Sequence, residues 1–310
     1  MRFPFGAQLH ELSSVLPQLN RLSLLLAALM AWFCTAAAAE QPRAVEMTTL
    51  HNVFQVTENI YSGNSPDSEE GFRELQKLGV KTIISVDGSK PNLALAHKYG
   101  MRYVHLPIGY DGVPQARVVE LTKVGQTAAG PLYVHCHHGK HRGPAAAAVV
   151  CRATKGWTVQ KADEFLKQAG TSPDYAGLYR DVRAFRQPTA EELARIPNEL
   201  PEVADTPDLV NIMVAIDEYF DTFKAAQRDD WRELPAQPAT LLWELLREHA
   251  RDPETVKRGD DYKAKLADSE RAADALRLIL RDPNGTSPGR DAALLTAGKT
   301  CGACHRAHRN

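Results

Sequence analysis

The chain has 310 residues, with 37 Lys and Arg against 38 Asp and Glu and a formal net charge of −1. A length of this order suggests about two domains, and 24% charged residues with no apolar-starved tract excludes a mainly disordered chain. The charge balance excludes a globally basic nucleic-acid binder, and five cysteines are too few for a disulfide scaffold of this size.

Residues 1–21 carry Arg2 and Arg21, and 22–39 carry no charge; the core SLLLAALMAWF is followed by TAAAA and then Glu40. A basic start, an apolar stretch and small residues before a polar one predict a signal peptide over 1–39. The mature protein is then soluble, free of the membrane, and periplasmic or otherwise exported. An uncleaved anchor is the alternative, because the uncharged stretch nearly spans a bilayer. Cys34 lacks a lipoprotein context and leaves with the signal.

From 52 to 186 short apolar runs alternate with amphipathic ones. Strands are expected at 80–86 (VKTIISV), 103–107 (YVHLP) and 131–136 (PLYVHC). Helices are expected at 67–78, 91–99, 115–127, 143–155, 159–168 and 174–186. Such alternation predicts an α/β domain whose central, mostly parallel sheet is flanked by helices. Residues 187–206, with three prolines and many acids, read as a linker. From 207 to 310 the pattern is helical only. Leu209, Ile212, Met213, Ile216, Phe220 and Phe223 share one face, 238–250 form a second helix, and Tyr262, Leu266, Ala273, Leu276 and Leu280 mark a third. A fourth is expected after a Pro288-Gly289 turn. Four amphipathic helices with short connections predict an all-α four-helix bundle.

The first chemical site is His135-Cys136-His137-His138-Gly139-Lys140-His141-Arg142-Gly143, between a predicted strand and a helix. Loop amides and the helix N-terminus suit an anion and favour a nucleophilic thiolate at Cys136. Arg142, separated from Cys136 by five residues, can grip two phosphate oxygens. Residues 52–186 resemble the dual-specificity branch of the protein tyrosine phosphatases, through IYSGNSPD (60–67), GVKTIISVDG (79–88) and the His-Cys-x5-Arg loop. GKHR (139–142) is most similar to plant and fungal atypical members, some of which cleave inositol pyrophosphates. The resemblance implies a phosphocysteine intermediate, a supporting role for His135 behind the thiolate, and phosphorylated protein or inositol-phosphate-like substrates. It also implies a general acid on the loop after YVHLPI, where Asp111 is the candidate and Asp87 the runner-up. Gly143 stands where the family usually has Ser or Thr. His137, His138, Gly139, Lys140 and His141 would surround the phosphate, with some of the histidines chargeable near neutral pH. A degenerate phosphate binder without turnover is the competing reading. Cys151, in the following helix, reads as inert packing, with a resolving thiol as the minority reading.

The second site is Cys301-Gly302-Ala303-Cys304-His305, the CxxCH signature of c-type haem attachment. Two thiols one turn apart can each take a thioether bond while the adjacent imidazole reaches iron. A zinc site from Cys301, Cys304, His305 and His308 is the alternative, although these four crowd a turn and a half. Placed on the last of four helices, the motif resembles the cytochrome c′ family over 207–310. That resemblance implies covalent haem c, His305 as proximal iron ligand and a distal face covered by the first helix, where Met213 could be a sixth ligand. Electron transfer with a redox partner, or gas sensing, would follow. An alternative account of the whole chain is a haem protein whose α/β half only binds phosphorylated ligands.

Overall fold

The computed structural model describes residues 41–205 and 209–308. The signal-peptide reading of 1–39, Cys34 included, therefore lies outside the described residues. Among those described, no helix is long and apolar enough to cross a membrane.

Six strands form one sheet in the order β1 (Arg43–Ala44), β2 (Phe54–Thr57), β3 (Ile60–Gly63), β6 (Leu132–His135), β4 (Thr82–Ser85), β5 (Arg102–His105). The three pairings among β3, β6, β4 and β5 are parallel, whereas β1–β2 and β2–β3 are antiparallel. The sheet is thus mixed, and the sequence reading of a mostly parallel sheet missed its antiparallel edge. Each strand there has four residues or fewer, too short a run to show its period. The central strands TIIS and LYVH are buried at every position, which is why they read as continuous apolar runs.

Six helices cover the two faces: α1 (Glu69–Lys77), α2 (Leu93–Lys98), α3 (Gln115–Thr127), α4 (Arg142–Lys155), α5 (Val159–Gln168) and α6 (Ala176–Arg183). Ser68 caps α1 by accepting the Gly71 N–H at 3.3 Å, and Thr158 caps α5 in the same way from Lys161 at 3.2 Å. The first ten residues of α4, RGPAAAAVVC, are all buried. Their small side chains let this helix lie close to β3 and β6 and fix where its N-terminus emerges.

The segment expected to be a linker contains α7 (Ala190–Ala194), opened by a capping box between Thr189 and Glu192. It then runs along the outer edge of β5. The Pro201 carbonyl accepts the His105 N–H at 2.9 Å, and the Glu202 carboxylate accepts the Tyr103 N–H at 3.3 Å. Leu200 is buried in the sheet's own core.

The C-terminal region is helical: α8 (Leu209–Arg228), α9 (Ala236–Arg251), the single turn α10 (Pro253–Val256), α11 (Asp260–Arg281) and α12 (Ser287–His308). Ile216, Phe223, Leu242, Leu246, Leu276 and Leu294 meet in one apolar cluster. Helix α12 begins at Ser287, so Pro288 and Gly289 lie in its first turn and are not a turn before it. Proline is tolerated there because the first-turn N–H groups have no helical acceptor.

Candidate active site

Cys136 follows β6 directly and is 2% exposed. The loop after it is held from outside through its carbonyls. The Ser65 N–H donates to the His137 carbonyl (3.2 Å), Asn52 Nδ2 to that of Gly139 (2.9 Å), and Thr171 Oγ1 to that of Lys140 (2.7 Å). Carbonyls turned outward leave the loop amides beyond His137 and the α4 N-terminus to an anion. Gly139 has φ +66°, and a Cβ there would lie 2.3 Å from the Gly63 carbonyl carbon, so only glycine fits. Gly143 has its own steric reason. A Cβ at 143 would sit 3.0 Å from the Cys136 nitrogen, tighter than ordinary contact.

Arg142 is wholly buried. Its Nη2 donates to Asp87 Oδ2 (3.1 Å) and to the Tyr110 hydroxyl (2.9 Å), and its Nη1 donates to the Ile108 carbonyl (3.3 Å). The guanidinium lies 4.0 Å from the Tyr110 ring centroid, and Nη1 also pairs with Glu248 of α9. Its Nε is buried without a partner among the described residues.

Asp87, the runner-up for the acid, holds this arrangement together. Its Oδ2 also accepts the His137 N–H (2.7 Å), and its Oδ1 accepts the Ser89 N–H (2.9 Å) and Arg251 Nη1 (3.1 Å). Burial alone would raise its carboxyl, but the Arg142 and Arg251 guanidinium groups hold it well below the carboxylate range. An ionised group of this kind has no proton to give a leaving oxygen. His105 supports it from behind. One ring nitrogen, Nδ1, accepts the Ala204 N–H (3.1 Å), so the other, Nε2, donates to the Asp87 carbonyl (2.8 Å).

Asp111 lies on the loop between β5 and α3, exposed, and its carboxylate has no hydrogen-bond partner among the described residues. The loop is fixed on either side of it. Tyr110 reaches Arg142, and the Val113 N–H donates to Asp181 (2.8 Å). Asp111 therefore directly follows Tyr110, whose side chain contacts the Arg142 guanidinium.

The expectation of chargeable histidines around the loop is overturned. Burial first, then the guanidinium of Arg251 or Arg142 respectively, pushes His137 and His141 down to about 4. His138 is lowered by burial and by Arg247, whose Nη2 donates to its Nε2 at 2.6 Å. His135 is fully buried with neither ring nitrogen bonded among the described residues, and burial takes it to about 4. These rings are neutral at neutral pH, so the loop's cations are Arg142 and the exposed Lys140. Burial also pushes the Cys151 thiol up to about 12, which suits packing and not redox exchange.

The CxxCH residues face a cavity of about 510 Å³. Cys301, Cys304 and His305 of α12 line it, and Met213 of α8 and Leu246 of α9 close it from other helices. Both thiols are free, and His308 is occupied by Asp261 at 2.8 Å. Among the described residues no three His, Cys, Asp or Glu side chains converge as a metal-binding group.

Sequence reasoning did not find Tyr110, or Glu244, Arg247, Glu248 and Arg251 on α9. In the sequence the latter four are the polar stripe of an amphipathic helix, which reads as a solvated face.

The loop, its arginine and the sheet that presents them go with a chain that belongs to the dual specificity protein phosphatases. The dual specificity protein phosphatase TpbA of Pseudomonas aeruginosa strain UCBPP-PA14 is 30% identical over 162 residues, covering 48% of this chain and 72% of its own. TpbA of strain PAO1 matches to the same extent. A crystal structure of P. aeruginosa TpbA has 27% identity and a TM-score of 0.42, covering 48% of this chain and 92% of that one. The core catalytic domain of the PP-IP phosphatase SIW14 from S. cerevisiae has 19% identity and a TM-score of 0.40, covering 46% and 89%. No family model matches the chain.

Proposed function

We propose that this chain hydrolyses phosphoesters through a phosphocysteine formed on Cys136. The observation that carries the reading is a buried Cys136 and a buried Arg142 at the two ends of one loop whose carbonyls are bonded outward. The Cys136 thiolate attacks phosphorus, and the phosphorus–oxygen bond to the leaving group breaks. Asp111 gives its proton to the departing oxygen. The Arg142 fork and the loop amides hold the three remaining oxygens as charge redistributes. Water then cleaves the phosphorus–sulfur bond, with Asp111 now taking a proton. Substrates are phosphorylated proteins or polyphosphorylated small molecules of the inositol-phosphate kind. Acid-quenched enzyme given an aryl phosphate should carry phosphate on the peptide containing Cys136. Turnover without any phosphocysteine would remove the mechanism.

A second reading concerns the helical region, as a cytochrome c′-like four-helix bundle carrying covalent haem c in an exported protein. Supporting it, the cavity brings the two thiols and the imidazole of CxxCH to one apolar space, with Met213 across it. Cys301 and Cys304 would hold the group through thioethers, His305 would take the proximal position, and Met213 is the candidate sixth ligand. Haem would supply one-electron exchange with a redox partner or a site for a diatomic gas. Protein matured with a haem-attachment system should show a Soret band that survives acid-acetone extraction, and Cys301→Ala with Cys304→Ala should lose it. Extractable or absent colour in the parent protein would end this reading.

A further inference from the structure

Helix α9 presents four polar residues, Glu244, Arg247, Glu248 and Arg251, at spacings of three and four. Side chains so spaced share one helical face. Each of them bonds to the phosphatase half. Glu244 accepts the Tyr175 hydroxyl proton (2.6 Å), Arg247 donates to His138 (2.6 Å), and Arg251 donates to Asp87 (3.1 Å). Glu248 pairs with Nη1 of Arg142, the residue assigned to grip phosphate. Its other oxygen lies where a Cβ on Gly88 would approach to 2.8 Å, so the carboxylate is packed against the strand end that carries Asp87. The opposite face of the helix, with Leu242 and Leu246, belongs to the C-terminal apolar cluster. Arg281 of α11 adds a further ion pair to Asp174.

A carboxylate is a planar two-oxygen anion, the shape a guanidinium fork accepts in place of two phosphate oxygens. Arg142 cannot offer the same Nη1 to both groups in full. We propose that α9 is an autoinhibitory element whose Glu248 occupies Nη1 of Arg142 and competes there with the phosphoryl group of the substrate. The inference rests on the phosphatase reading for its biological meaning, but the competition itself is a statement about oxyanion binding. The contacts from this helix face to the loop are polar or ionic. Buried ion pairs of this kind contribute little net stability, because desolvation offsets attraction, so a dianion that displaces the helix gives up these pairs and the packing of the half-buried Leu241 on the phosphatase core. The docked state is therefore poised for exchange. Salt that screens the partly exposed Arg247 and Arg251 pairs weakens it further.

The test uses the full chain and two variants, Glu248→Ala and Glu248→Gln, with tungstate as the oxyanion probe. Calorimetry should show tungstate bound at least tenfold more tightly by both variants than by the parent. With an aryl phosphate, KM should fall by a similar factor while kcat changes little. Hydrogen exchange on the unmutated chain supplies a readout that needs no variant. Amides of 244–251 should lose protection when tungstate is added to saturation. Unchanged or weaker tungstate affinity in the variants, or unchanged α9 protection on saturation, would overturn the proposal. A fall in kcat on losing the carboxyl would also overturn it, by making Glu248 part of the chemistry. Absence of turnover in all three proteins would remove the phosphatase reading alone, since the affinity and exchange measurements would still decide the competition.

Discussion

Cys136→Ser should abolish turnover, and Asp111→Asn should slow hydrolysis of substrates with poor leaving groups by roughly 10²–10⁴, the range of general acid catalysis. The two effects differ in kind. Loss of the sulfur removes the loop's only thiol, whereas loss of the Asp111 proton matters in proportion to the basicity of the departing oxygen. An activated aryl phosphate should therefore be slowed much less by Asp111→Asn than an alkyl phosphate. The comparison of kcat/KM for those two substrates checks the assignment. Equal losses for both would show that Asp111 supports the loop and does not deliver a proton.

The second large effect concerns stability. Asp87→Asn should lower it by about 3 kcal/mol, the lower end for breaking a buried ion pair, because Arg142 keeps Glu248 as a partner. Arg251 and the His137 amide lose their anion at the same time. The loss should appear as a lower denaturant midpoint with an unchanged slope. Acid should act in the same direction on the parent protein. An unfolded histidine binds its proton near pH 6.5, whereas His135, His137 and His141 are held at about 4 in the fold. Their contribution is present above pH 6.5 and is lost as pH falls through that window, where the unfolded chain binds more protons. For the fully buried His135 the slope is at most about 1.4 kcal/mol per pH unit. Its two more exposed neighbours add less. The ionised Asp87 adds a further loss below about pH 4, where an unfolded carboxyl takes up a proton. A midpoint that stayed flat between pH 6.5 and 4 would contradict the buried neutral state of these rings.

The reactive loop was legible because its chemistry is local. Cys136, Gly139 and Arg142 lie within seven residues, and a strand and a helix on either side complete the motif. The same is true of Cys301, Cys304 and His305, which one helical turn brings to one cavity wall. What failed was long-range. The partners of Arg142 and Asp87 on α9 are over a hundred positions away, and nothing in an amphipathic pattern says which surface its polar stripe meets. Histidine content suggested charge, but charge depends on burial, and burial was decided at long range: His135 packs against Tyr103 and Tyr133, His141 against Tyr110 and Tyr175, and His138 meets Arg247. The β2–β3 hairpin escaped because four-residue strands cannot show alternation over a full window.

The chain between the two halves also bears on how this molecule can be divided. Strand β5 ends the sheet, and its outward N–H groups at Tyr103 and His105 are met by Glu202 and Pro201. A fragment cut at 186, the limit of the family-like region, would leave that edge bare. Unpaired strand edges recruit other chains, so such a fragment would tend to stack edge to edge with its own copies. It would also lose the Ala204 amide that fixes the His105 tautomer behind Asp87. The smallest self-sufficient catalytic unit thus reaches at least to Ala204, and the stretch that composition marks as a spacer serves as the sheet's closing border.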